Sequence, residues 1–413
     1  MMKKIKRALI SVADKTNLNF LIKKLKKYRI EIISSGGTFR QIKKFGFDCT
    51  EVSKYTDSPE ILQGRVKTLH PKIHAGILSI RKNKLHKKDL KKLKINEIDL
   101  VIVNFYPFEN VLKKTNNNKI IIENIDVGGP TMARSAAKNY EDVTVVTNSD
   151  QYDELINELG KNHGSTSLEF RQKMSGEAFA ETAFYDSLIA NYFNKITENI
   201  FPKKKLIYGN LIEKLRYGEN PHQKAAIYSK NNKLKVNQIN GKQLSYNNYN
   251  DIFSALLISK SLPKNKGTVI VKHTNPCGVS INKNKIKSYK LALSCDPISA
   301  YGGIVSCNFK ITKKLALELR KKFLEVVIGN GINNDALKIL KKRKNLRVID
   351  VKDLNLNNIE NINSNFNSYL IQTADNNIFS KKDFKIVSKK KPNSKTLANL
   401  IFAFNVCRFV KSN

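Results

Sequence analysis

The chain has 413 residues, 41% of them hydrophobic and 26% charged, with a formal net charge of +39 at pH 7. That length exceeds one ordinary hydrophobic core and implies two or more domains, while no apolar run reaches the ~18–20 residues of a membrane span. The five cysteines (Cys49, Cys277, Cys295, Cys307, Cys407) are odd in number and scattered, which argues against a disulfide framework and for a reducing cytoplasm. Basic Met1–Arg7 runs straight into the strand-like Ala8–Val12, without the apolar stretch and cleavage site of a signal peptide.

So large a positive charge raises nucleic acid as a partner. Lys, however, outnumbers Arg about five to one, and phosphate and base recognition favours the Arg fork. The lysines occupy solvent-type positions such as 81–94 and 381–391, with no regular aromatic interleaving. Asn and Ile are enriched alongside them, the pattern of drift toward A/T-rich codons. The reading is therefore no nucleic acid and no membrane, with a positive field that collects phosphorylated substrates. A basic nucleic-acid-binding protein remains as the alternative of another class, distinguished by steeply salt-dependent binding.

In chain order, residues 5–150 alternate strand-like runs (Ala8–Val12, Ile30–Ile33, Leu100–Asn104, Val143–Thr147) with helical patterns such as Asn17–Lys27. Short buried strands between helices predict a parallel, doubly wound sheet, an α/β domain over residues 1–150. Residues 151–205 read as a helical linker, with Phe170, Met174, Ala178, Phe184, Leu188 and Tyr192 at helical intervals. A second α/β region spans 206–413, with a strand at Thr268–Val271 and a glycine turn at Tyr301-Gly302-Gly303. The Asn-rich stretch Asn355–Asn367 reads as a surface loop.

The first region carries a phosphate-type pocket with proton-transfer groups. Strand, Ser34-Ser35-Gly36-Gly37-Thr38 and a helix start present free N–H groups to an anion, although a short glycine turn alone is a weak signal. Gly64-Arg65-Val66-Lys67-Thr68-Leu69-His70-Pro71 sets two cations two residues apart, on one side of an extended segment. His70 and His74 have helical spacing, but Pro71 stands between them and no Glu completes a metalloprotease pattern, so no metal is expected. Asn104-Phe105-Tyr106-Pro107-Phe108 closes a strand at its carboxyl end, where open α/β sheets bind ligands. Ile125–Pro130 and Arg134–Asn139 add Asp126, a glycine turn and Lys138.

Together with Ser11-Val12-Ala13-Asp14-Lys15-Thr16, these segments resemble the inosine monophosphate (IMP) cyclohydrolase domain of the bifunctional purine-biosynthesis enzymes. Those enzymes pair it with 5-aminoimidazole-4-carboxamide ribonucleotide (AICAR) formyltransferase. The resemblance implies a methylglyoxal synthase-like N-terminal fold and ring closure of formylated AICAR with loss of water. It implies Lys67 at the formyl oxygen, and Tyr106, Asp126 and Lys138 as the proton-handling set. Ser11, Lys15, Ser35, Gly36, Gly37, Thr38 and Arg65 would hold phosphate and ribose, with no cofactor for this step.

Leu215–Gln223, with Arg216, Tyr217 and Gly218, opens the second region. Val269–Gly278 follows, a strand that ends in Lys272-His273 and turns through Asn275-Pro276-Cys277. No Cys follows Cys277 three residues on and no His-x-Glu precedes it, so a zinc deaminase site is rejected. With Asp296–Gly303, these segments resemble the AICAR formyltransferase domain, a cytidine deaminase-like α/β region usually found as a homodimer. The resemblance implies 10-formyltetrahydrofolate as co-substrate, His273 as general base, Lys272 as oxyanion or leaving-group partner, and Arg216, Tyr217, Gly218 and Gly302 around the nucleotide. In relatives the segment matching Arg408–Asn413 carries a catalytic asparagine, matched here by Asn413, and continues for roughly a hundred residues, enough for a small subdomain. The formyltransferase region is therefore expected to be C-terminally incomplete and formyl transfer less secure than cyclisation. A methylglyoxal synthase-like lyase is the other alternative, since fold does not fix chemistry.

Overall fold

Short apolar runs buried on both faces become the strands of the first unit, Met1–Tyr208, in a computed structural model that describes residues 1–230, 233–234, 236–351 and 360–411. The strands of its five-stranded sheet are β1 (Arg7–Val12), β2 (Glu31–Ser34), β3 (Thr50–Glu51), β4 (Leu100–Asn104) and β5 (Thr144–Val146). They lie in the order β3-β2-β1-β4-β5, all parallel. Helices α1 (Leu18–Lys27), α2 (Gly36–Lys44), α3 (Pro71–Leu78), α4 (Gly128–Lys138) and α5 (Leu168–Ile196) complete the layers used below. Helix α1 shows why: Leu18, Leu21, Ile22 and Leu25 recur on one face and are buried, while its lysines face water. The strand order reverses between β1 and β4, and the crevice at the carboxyl ends of those two strands is where such sheets take ligands.

The stretch 151–205, expected to be a linker, is part of this first unit. Phe170, Met174, Ala178, Tyr185 and Leu188 of α5 join the same core as β1 and β4. The fully buried Arg171 gives hydrogen bonds to the carbonyls of Tyr140, Glu141 and Thr166. An arginine saturated by backbone oxygens fastens the helix to the domain rather than letting it bridge.

The second unit, Gly209–Asn413, is built on a six-stranded mixed sheet. Its elements are β6 (Asn237–Asn240), α6 (Tyr246–Ser261), β7 (Gly267–Lys272), β8 (Asn275–Ile281), β9 (Ile304–Cys307), β10 (Val326–Gly329) and β11 (Arg347–Asp350). The order is β6-β11-β10-β9-β7-β8, parallel only across β9-β10-β11. Of the Asn-rich stretch, residues 355–359 lie outside the described residues. Residues 360–365 are not a loop but pair with Ser368–Thr373 in a hairpin. Phe366 and Asn367 both have positive φ, the condition for a two-residue turn between twisted strands. Among the described residues, no helix is long and apolar enough to cross a membrane.

Candidate active site

A cleft of about 680 Å³ opens at the carboxyl ends of β1 and β4. It is lined by Ser11, Lys15, Ser35, Gly36, Gly37, Thr38, Arg65, Lys67, Tyr106 and Asp126, ten residues that the sequence names from five separate segments. The parallel topology brings the turns after β1, β2 and β4 to one edge, and the loops before α3 and α4 add Arg65, Lys67 and Asp126 there.

Local hydrogen bonds fix each wall. Asn104, the last residue of β4, accepts from the backbone N–H groups of Ala13 and Asp14 and donates to the Asp14 carbonyl, at 2.6, 3.0 and 2.9 Å. This laces the β1 turn and sets Lys15, whose ammonium lies 3.8 Å from where a Cβ on Gly37 would stand. Ser35 begins α2 in extended conformation with no side-chain cap, which leaves the helix start open to an anion. Thr38 lines the cleft, and its hydroxyl accepts from the Val12 N–H and donates to the Val12 carbonyl, both at 3.0 Å, which staples α2 to β1.

Lys67 lies between two glycines. Its ammonium is 3.1 and 3.0 Å from the positions that Cβ atoms on Gly36 and Gly64 would occupy, and its Cε is 2.6 Å from the latter. Both glycines have positive φ, +49° and +88°, a backbone conformation that favours glycine there. Glu60 faces the ammonium at 3.3 Å. At the rim, the Arg65 guanidinium forks onto Glu123, and both side chains are mostly exposed. Local pattern did not single out Glu60 or Glu123, because an isolated Glu reads as a solvated charge.

Asp126 precedes α4, and its carboxylate accepts from the Gly129 N–H at 2.8 Å. Burial pushes its carboxyl above the ordinary aspartate range, against the pull of the Gly129, Tyr106 and Gly128 N–H groups. A Cβ on Gly129 would meet the same carboxylate at 2.6 Å. Tyr106 is 44% exposed to the cleft. Lys138 is not brought to this set: it stands exposed on the last turn of α4, about 15 Å of helical rise from Gly128. His70 accepts from the Lys72 N–H and caps α3, and His74 shares a hydrogen bond with Ser135.

In the second unit, β7 ends at Lys272 and turns through His273 and Thr274 into β8, with φ of 52° and 64°. Left-handed backbone at two non-glycine residues costs about 1–2 kcal/mol each, and Asp251 of α6 secures it. Its carboxylate accepts the Thr274 N–H at 2.6 Å and also draws on the His273 N–H. Asp251 was not foreseen, because nothing in the helix pattern of Tyr246–Ser261 marks it. Lys272 donates to the Tyr301 carbonyl at 3.0 Å, beside Gly302 at φ +72°. The Arg216 guanidinium lies over the Tyr217 ring, 5.5 Å from its centroid. Gly218 is held by a hydrogen bond to Gln223. Asn275, directly after the turn, accepts the Lys411 N–H at 2.9 Å, and Asn413 lies outside the described residues.

Residues 136–413 match the family described as AICARFT/IMPCHase bienzyme, and residues 17–131 match the MGS-like domain. A bifunctional purine biosynthesis protein PurH from Rippkaea orientalis is 44% identical over 98% of this chain and 81% of its own length. The proteins of that name from Rhizobium rhizogenes and Leptospira biflexa are 41% and 43% identical over 99% of this chain, and 78% and 80% of their own lengths. The expected loss of a C-terminal part is not supported by these matches, which take in nearly all of this chain and about four fifths of each relative. The chain belongs to the bifunctional purine biosynthesis protein PurH family.

Proposed function

We propose that this protein carries out the last two steps of de novo IMP synthesis: formyl transfer to AICAR, then ring closure with loss of water. The observation that carries the reading is the cleft at the β1/β4 switch point, where an open helix start and cations meet Lys67, Tyr106 and Asp126. In the cyclisation the carboxamide nitrogen attacks the formyl carbon. The nitrogen gives up a proton to the Asp126 carboxylate, Lys67 stabilises the formyl oxygen as charge builds, and the hydroxyl so formed leaves as water with a returned proton. Because nucleophile and electrophile share one molecule, proximity comes mostly from the substrate. The cyclohydrolase belongs to the first unit and formyl transfer to the second, with His273 as base for the AICAR amine and Lys272 beside the departing folate nitrogen. The finer points rest on family likeness: 10-formyltetrahydrofolate as co-substrate, phosphorylated aminoimidazole ribonucleotides as substrates, a homodimer, and the cytoplasm. A lyase acting through the first unit alone would leave the Lys272-His273 turn without a role.

The test is conversion of formylated AICAR ribonucleotide to IMP by the purified chain without folate, and of AICAR with it. His273→Ala lowers formyl transfer by about a hundredfold and leaves cyclisation within about twofold of wild type; equal loss of both would sink the division of labour between units. Glu123 gives a second expectation. It occupies the Arg65 fork that a phosphate needs, so Glu123→Gln lowers the KM for the phosphorylated substrate about threefold, in keeping with the weakness of exposed ion pairs. A raised KM would instead make Glu123 a substrate contact.

A further inference from the structure

We infer that Tyr185 of α5 is a positioning residue for the cyclohydrolase, holding the two proton-handling segments at one spacing. The inference rests on the reading of the first cleft given above. Tyr185 is 4% exposed and lies in a part of the chain beyond the MGS-like match, which ends at residue 131. Its hydroxyl accepts the Asp126 backbone N–H at 2.8 Å, and its own proton faces the Asn124 carbonyl at 3.5 Å. Its ring meets Phe105 edge-on at 5.2 Å and Phe108 at 6.3 Å, the residues on either side of Tyr106-Pro107. One side chain therefore grips the segment that presents Asp126 by a hydrogen bond and the segment that presents Tyr106 by ring packing.

The rest of the site makes that spacing matter. The Phe105 ring comes within 3.0 Å of where a Cβ on Gly129 would sit, and the Asp126 carboxylate within 2.6 Å of the same point. Tyr106 and Gly129 both direct N–H groups at that carboxylate. A shift of either segment would open this small cluster, and a misplacement of about 1 Å in a catalytic group costs up to about a hundredfold in rate. Burial pushes the Tyr185 hydroxyl up to about 12, so it stays protonated and keeps both of its hydrogen-bonding roles. The site of the first unit is thus completed by a helix that lies outside the doubly wound βα repeat.

Tyr185→Phe keeps the ring and removes only the hydroxyl. The matched control is Tyr192→Phe on the same helix, whose ring meets Phe108 at 5.8 Å but whose hydroxyl donates to Asn118, at 2.8 Å. In the full chain, Tyr185→Phe lowers kcat for cyclisation about tenfold, with KM within about twofold, and Tyr192→Phe changes neither. Amide hydrogen exchange at Gly129, whose N–H goes to the Asp126 carboxylate, speeds by at least about tenfold in Tyr185→Phe alone. Unchanged Gly129 exchange, or an equal loss of kcat in Tyr192→Phe, overturns the inference. Exchange needs no turnover, so an absence of wild-type cyclisation overturns the reading of the cleft, while Gly129 exchange separately decides whether Tyr185 holds the Asp126 segment.

Discussion

Lys67→Met lowers kcat for cyclisation about a thousandfold, roughly 4 kcal/mol of transition-state stabilisation, and leaves KM within about threefold. Methionine keeps the unbranched stem that threads past Gly64 and Gly36, so the slot stays filled and only the charge disappears. In the proposed reading the phosphate is held by other groups that line the cleft: the open start of α2, Lys15 and Arg65. Ground-state binding therefore survives, while the oxygen that gains charge as the ring closes loses its cation. Steady-state kinetics with formylated AICAR ribonucleotide separate the two. A loss confined to KM would make Lys67 one more phosphate ligand and would move the oxyanion role elsewhere. Formyl transfer, measured on the same preparation, stays at the wild-type level, because His273 and Lys272 belong to the other unit.

The parts of this protein legible in its sequence are those decided by local pattern. The β-branched runs at Leu100–Asn104 and Ala8–Val12 became strands within a residue of expectation, because a stretch buried on both faces has no polar period to mislead. Helix α5 was legible as a helix, but its place in the first core was not, for the opposite reason. Its buried set includes Arg171, which reads as solvent-facing until the carbonyls that saturate it are known, and its attachment to the first core depends on partners up to 170 residues away. The cleft was legible residue by residue because three βα turns share an edge with the loops that lead into α3 and α4, a consequence of parallel topology rather than of any one motif. What escaped was contact between segments. Glu60 and Lys67, and Asp251 and Thr274, are pairs that only the fold makes. Lys138 shows the same limit of sequence distance: it follows Asp126 by twelve residues, yet the helix carries it to the far end of α4.

Asp126→Asn removes cyclisation to a similar extent, about a thousandfold in kcat, and abolishes the acidic limb of its pH profile. In the wild-type chain that limb lies above 3.8, the ordinary aspartate value, because burial disfavours the carboxylate more than three backbone N–H groups favour it. In the proposed mechanism the carboxylate is the proton acceptor, so activity is expected to fall as pH drops through the raised value. Stability runs the other way. A raised folded-state value means that the charged form is penalised by folding, so the penalty is present above that pH and is relieved as the group protonates below it. Asparagine carries no such charge, yet its amide nitrogen would face N–H groups that the carboxylate accepted, a loss of about 1–2 kcal/mol. The two effects oppose each other at neutral pH, and the variant's stability relative to wild type falls as the pH drops and wild type sheds its penalty. Thermal unfolding from pH 4 to 8, beside the pH dependence of kcat, checks both halves. An acidic limb that persists in Asp126→Asn would assign the titrating base to another group and leave Asp126 as the cap of α4.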